Sequence, residues 1–200
     1  MAGRKRSFDR DIALDKAMRL FWNNGFAATS VSHLTSELGI NTPSLYAAFG
    51  NKEQLFKEVI AHYIAQYSEP CYRHLIEPSD APFIERLRAC FYELIQEFSD
   101  VDTPLGCLLV KSVNESDSVA FPKDATADIK QFGSKTLQLI TALIESEGVV
   151  TESTSAELQA KYLLSVLYGL STQVRAGESR QVAESIMDYA LNTIQTSCAQ

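Results

Sequence analysis

Apolar residues recur at intervals of three and four along almost the whole chain and seldom alternate one by one, so the pattern predicts helices rather than strands. Ala13, Ala17, Leu20 and Phe21 mark an amphipathic helix over about 8–24, with Gly25 as its stop. Thr29 or Ser30 can cap a second, short helix in which Val31, Leu34 and Leu38 form the buried stripe and Gly39 the end. The stretch INTPSLYAAFGNKEQLF (40–56) then holds two helix starts. Asn41 or Thr42 caps the first, and Pro43 fits the opening position, where a missing N–H costs nothing. Leu45 and Phe49 face inward, Gly50 stops the helix, and Asn51 caps the next, whose Leu55, Val59 and Tyr63 repeat every four residues.

Three short helices over 8–50, with a glycine-containing turn between the second and third, have the spacing of a helix-turn-helix, its motif at about 30–49. Beyond them the pattern stays helical. A long fourth helix is expected over 51–77, a fifth from about Pro82 to Ser99, and a sixth starting within TPLGCLLVKS (103–112). Residues 114–124 read as a loop, followed by a helix to about Gly148 and a polar connection over 149–155. Helices over roughly 155–176 and 178–197, hinged at Gly177, complete the chain. The expected fold is all-α with about nine helices: a reader domain over 1–52 and a helical effector-binding and dimerisation domain over 53–200.

Charge sharpens this division. The net charge of −7 argues against nucleic acid when taken alone, but residues 1–52 carry +3 and residues 53–200 carry −10. An acidic body with a basic head suits a protein whose one end meets phosphate. A hydrophobic content of 46% across 200 residues supports a packed core. No apolar run approaches a membrane span, and Arg4, Lys5 and Arg6 are not followed by the apolar stretch of a signal peptide, so a cytoplasmic, nucleoid-associated protein is expected. Cys71, Cys90, Cys107 and Cys198 show no CxxC spacing, and His33, His62 and His74 form no ligand motif. Reduced thiols are expected, with no metal and no cofactor.

The chemistry of 41–52 fits a reader helix. Thr42 and Ser44 offer hydroxyls, the helix start beside Pro43 offers free amides to phosphate, and Leu45 and Phe49 anchor the opposite face. Ala47 and Ala48 permit close approach to a groove, Tyr46 can reach a phosphate, and Lys52 adds a charge-assisted contact. Thr29 and Ser30, at the start of the second helix, are further candidates for the backbone. Arg4, Lys5 and Arg6 form a basic arm of the kind that enters a minor groove, and His33 lies on the surface or near phosphate. For each polar residue the competing role is capping or surface packing.

GFAATSVSHLTSELGINTPSLYAAFGNKEQLF (25–56) resembles the TetR family of bacterial one-component repressors. The likeness is carried by Gly25 and Phe26, Thr29, the turn glycine Gly39, and the run Leu45, Tyr46, Phe49, Lys52, Glu53 and Leu55. Ala47 and Ala48 depart from it, since the family commonly has an aromatic or histidine pair there. The resemblance implies a homodimer, a palindromic double-stranded DNA operator, and a C-terminal pocket for a small-molecule effector that releases the operator. The Gly106–Cys107 run is similar to that of the family's electrophile- and oxidant-sensing members.

The residues of the body bear on those implications. Leu158, Tyr162, Val166, Gly169 and Leu170 line one helical stripe and Val182, Ile186, Tyr189 and Ile194 another, which two subunits could join as a four-helix bundle. The competing reading buries both stripes within one chain. Tyr63, Tyr67, Phe91, Phe98 and Tyr168 could line an apolar effector cavity or simply be core. With Thr103 as cap and Pro104 as first helical residue, Cys107 falls in a first turn whose free amides favour a thiolate, with Lys111 one turn on. It could equally be a small buried packing residue. No Ser/His/Asp set, glycine-rich phosphate loop or metal spacing points to an enzyme. The rival to a DNA-binding regulator is a helical small-molecule binder without DNA function.

Overall fold

In the computed structural model, residues 8–118, 121–148 and 155–196 are described. They form an all-helical protein with no strand among the described residues. The head comprises α1 (Arg10–Asn24), α2 (Val31–Leu38) and α3 (Thr42–Phe49). Each helix starts on a side-chain cap. Asp9 accepts from the amides of Asp11 and Ile12, Ser30 from that of His33 at 3.1 Å, and Asn41 from that of Ser44 at 2.8 Å. Gly39, left-handed at φ 65°, ends α2, and the Ile40 amide bonds back to the Thr35 carbonyl at 3.1 Å.

α4 (Lys52–Tyr63) opens on a capping box between Asn51 and Gln54. The expected long helix over 51–77 is interrupted. A π-helical turn at Ile64–Ser68 and a 3-10 turn at Glu69–Tyr72 separate α4 from α5 (Arg73–Ile76). Pro70 lies at the break; it has no N–H to continue the ladder, and its ring crowds the carbonyl one turn back.

The body continues with α6 (Phe83–Ser99), α7 (Leu108–Glu115), α8 (Lys123–Ser146), α9 (Ala156–Arg175) and α10 (Arg180–Thr196). Counting Lys52–Ile76 as one interrupted rod gives nine rods among the described residues. The sixth predicted helix starts at Leu108 rather than near Thr103. Residues 100–106 fold into a closed loop, since the Gly106 amide reaches back to the Phe98 carbonyl at 2.8 Å. Gly106 holds φ 80°, and a Cβ there would sit 2.8 Å from the Ser171 carbonyl oxygen.

One hydrophobic cluster runs from head to body. Trp22 meets Tyr63 edge-on at 4.9 Å between ring centroids, Phe21 meets Phe56 at 5.0 Å, and Phe26 meets Phe121 at 5.6 Å. The head is therefore seated on the body by buried aromatics of α1 and α4.

Candidate nucleic-acid interface and the pocket behind it

α3 turns Leu45 and Phe49 into the core and leaves Thr42, Pro43, Tyr46 and Ala47 exposed on the other face. Ser44 is half-buried beside the Asn41 cap. Ala48 packs partly against the core, so of the paired alanines Ala47 alone presents its methyl outward. Ser30, the cap of α2, is exposed, and so is His33. The outward surface is thus a short polar helix start with one aromatic hydroxyl beside it, the shape that reads base edges.

One candidate needs correction, one takes on a second role, and three lie outside the described residues. Thr29 is fully buried, and its hydroxyl donates to the Gly25 carbonyl at 2.7 Å; it closes the α1–α2 turn and presents no side chain to DNA. Lys52 is half-buried with its ammonium 4.1 Å from the centre of the Phe26 ring. Burial lowers its pKa, with the Glu53 and Glu115 carboxylates opposing, so Lys52 pins the start of α4 as much as it offers charge to phosphate. Arg4, Lys5 and Arg6 lie outside the described residues.

Behind the reader, polar contacts join head to body. The Trp22 indole donates to the Gly106 carbonyl at 3.1 Å. Arg175, at the end of α9, donates to the carbonyls of Trp22 at 3.3 Å, Asn23 at 2.6 Å and Leu105 at 3.0 Å. It thereby serves the open carbonyls at the end of α1, whose own last turn carries no base. At the far end of α7, Glu115 accepts from the amides of Phe26 and Ala27 at 2.9 and 3.4 Å. Sequence spacing carries no sign of these residues, since the partners lie 70 to 153 positions apart.

A cavity of about 290 Å³ opens beside α7, walled chiefly by apolar side chains that include Phe98, Val110, Phe132 and Leu167. Of the predicted effector residues, Phe98, Cys107 and Tyr168 line it. Phe91 does not; it is fully buried among the core residues of α6. Tyr67 stacks on Tyr63 at 5.4 Å and meets Trp22 edge-on at 5.3 Å, away from the cavity lining. Tyr63 stands behind the wall and donates its hydroxyl to Cys107 Sγ at 3.4 Å. Ser68 and Tyr72, from the interrupted stretch after α4, line the cavity instead. Their placement depends on a helix break that apolar periodicity does not reveal.

Cys107 caps α7 rather than sitting inside its first turn, and its amide donates to Ser171 Oγ at 2.9 Å. Burial pushes the thiol's pKa up, while the Tyr63 hydroxyl and the Val110 and Leu109 amides pull the other way without prevailing. The expected resting thiolate is therefore corrected to a neutral thiol. Lys111 turns toward Glu115, 4.0 Å away, and its own pKa is lowered by burial and by Arg175.

The α9 and α10 stripes divide. Leu158, Tyr162, Val182, Ile186 and Tyr189 are exposed, Tyr189 at 76%, whereas Leu170 and Ile194 belong to the chain's own core. No helix among the described residues is long and apolar enough to cross a membrane, and no group of three or more His, Cys, Asp or Glu there could hold a metal ion.

A capped three-helix head presenting a short polar-faced helix defines the helix-turn-helix transcriptional regulators, which bind DNA and are not enzymes. Residues 13–59 match the family model for bacterial regulatory proteins of the tetR family. The chain is 30% identical over 202 residues to the HTH-type transcriptional repressor ComR of Escherichia coli (strain K12), covering 96% of this chain and 90% of that protein. It is 30% identical over 177 residues to the HTH-type transcriptional repressor BdcR of the same organism, with 88% and 84% covered. A cysteine mutant of the TetR family transcriptional regulator CifR, complexed with 26-bp double-strand operator DNA, superposes with a TM-score of 0.82. That pair is 30% identical, with 95% of this chain and 98% of the other covered. The chain belongs to the TetR family.

Proposed function

We propose that the protein is a homodimeric repressor that binds a palindromic operator and leaves it when the cavity beside α7 is filled or Cys107 is modified. Residues 1–52 serve as the reader and 53–200 as the effector-binding and dimerisation part. The observation that carries the reading is the position of α7: Leu109, Val110 and Val113 line the cavity, while Glu115 holds the reader's α1–α2 turn. A molecule that displaces α7 thus acts on both. ComR and BdcR are named repressors, and CifR is seen with operator DNA, which supports repression and DNA as the partner. The exposed α9–α10 stripe supports a two-fold partner, which sets two readers about one helical turn apart, roughly 34–36 Å. The reader's task places it in the cytoplasm, on the nucleoid.

The cavity suits a small, largely apolar effector. Its neutral Cys107 thiol reacts only with a strong electrophile or after a change in its surroundings. The test is binding to a duplex selected by the purified protein from random DNA. Ser44→Ala with Tyr46→Ala is expected to weaken binding tenfold or more, by about 1.4 kcal/mol or more; unchanged affinity refutes the reader assignment. A Cys107→Ser protein that still leaves the operator on treatment with an electrophile refutes the thiol branch alone.

A further inference from the structure

We propose that Arg10 is the positioning residue that sets the aim of the reader helix on DNA without touching DNA itself. Arg10 opens α1, yet its guanidinium lies at the far end of α3. Its Nε donates to the Ala48 carbonyl at 3.4 Å, and its central carbon stands 4.7 Å from the centre of the Phe49 ring. Its Nη2 pairs with Glu58 Oε2 on α4 at 2.5 Å. One side chain therefore touches the helix behind the reader, the last turn of the reader, and the lever that follows it.

The arrangement answers a local need. α3 has no basic residue in its last turn to meet its open carbonyls, and a cation supplied from α1 does so. The ring of Phe49, which anchors the inward face of α3, is covered by the same group. An eight-residue helix is only about 12 Å long, so a displacement of about 1 Å at one end turns it by about 5°. Base contacts tolerate roughly 0.5 Å. The N-terminal end of α3 is held by Asn41, and the Arg10 contacts hold the C-terminal end. Because Glu58 already pairs with the guanidinium, Arg10 contributes little to the release of counterions from DNA.

The inference rests on operator binding by α3. The experiment measures the full-length wild type, Arg10→Gln, Arg10→Lys and Glu58→Gln on the selected duplex and on a scrambled duplex of equal length, across a salt series. Thermal melting is recorded for each protein. Arg10→Gln is expected to weaken the selected duplex about tenfold while scrambled-duplex affinity and the salt slope stay unchanged. Glu58→Gln is expected to act in the same direction, and Arg10→Lys to recover part of the loss through the ion pair. If Arg10→Gln does not fold, Glu58→Gln, which keeps every large group in place, decides by the same readout. Equal loss on both duplexes with a slope smaller by about 0.9 makes Arg10 a phosphate contact and overturns the proposal. A lower melting temperature with unchanged operator affinity makes it a structural brace and also overturns it. A wild type that selects no duplex overturns the operator reading itself, and this one with it.

Discussion

Glu115 Oε2 lies 2.9 Å from the Phe26 amide nitrogen, which ties the last turn of α7 to the first residues after α1. The bond is charge-assisted, spans 89 positions of sequence, and joins the cavity wall to the reader. Glu115→Ala leaves two amides without this acceptor and is expected to destabilise the fold by about 1–3 kcal/mol. Glu115→Gln keeps an acceptor of similar shape and is expected to cost less. In either variant, operator affinity is expected to respond less to a cavity ligand than in the wild type. Melting curves and operator titrations with and without that ligand check this; full release by the ligand in Glu115→Ala removes α7 from the path.

The strap at 105–107 allows a sterically simple prediction. Gly106 sits at φ 80° against the backbone of α9, so an alanine there meets both an unfavourable backbone region and a carbonyl 2.8 Å away. Gly106→Ala is expected to destabilise by about 2 kcal/mol or more, read as a lowered thermal midpoint. The strap also carries the acceptor for Trp22, so Trp22→Phe is expected to lose the indole bond to Gly106 while keeping most of the apolar packing. Its cost is expected to be about 1–3 kcal/mol, since the buried Gly106 carbonyl is left without a donor. A Gly106→Ala protein as stable as wild type contradicts the close approach of strap and α9.

The reader was legible because its signals are local. Asn41, Pro43, Gly50 and Asn51 act within four residues of the groups they cap or stop, so their sequence positions state their roles. Thr29 misled because a hydroxyl at a helix start looks the same whether it faces water or, as here, the Gly25 carbonyl. The break after α4 was signalled by Pro70, but the apolar repeat through Leu55, Val59 and Tyr63 continues up to it and masks the change of ladder. The cavity was hardest to read. Whether Tyr63 or Tyr72 faces it depends on that break, and a neutral or charged Cys107 depends on burial, which spacing does not encode.

Exposure on α9 and α10 predicts which substitutions separate the subunits of the proposed homodimer. Tyr162 and Ile186 are exposed at 39% and 38%, so charges there disturb little inside one chain. Tyr162→Glu with Ile186→Glu is expected to give a folded monomer by light scattering, with near-native helical content. Its operator affinity is expected to fall at least a hundredfold, because the two half-sites are then bound independently. Leu170→Glu, by contrast, is expected to unfold the chain, since Leu170 is buried within it. A double variant that remains dimeric removes this face from the interface.

Buried acids make stability depend on alkaline pH in a direction that can be fixed in advance. Burial raises the Cys71 thiol from 9.0 to about 12, and it also raises Cys90 and Cys107. In the unfolded chain such thiols ionise near their ordinary value, while in the folded chain they keep their protons. Between those values the folded state binds more protons, so stability falls as pH rises. The contribution is fully present below about pH 8.5. It declines as pH climbs toward about 12 for Cys71. Denaturant midpoints are therefore expected to be level from pH 7 to 8 and to drop from about pH 9 upward. At Cys107 the same physics slows alkylation at neutral pH, and Tyr63→Phe is expected to slow it further by removing the donor that favours the thiolate. Rates with a neutral alkylating agent, followed by mass spectrometry against pH, read this directly. Alkylation of Cys107 as fast as that of a free small thiol at pH 7 contradicts a neutral, buried sulfur.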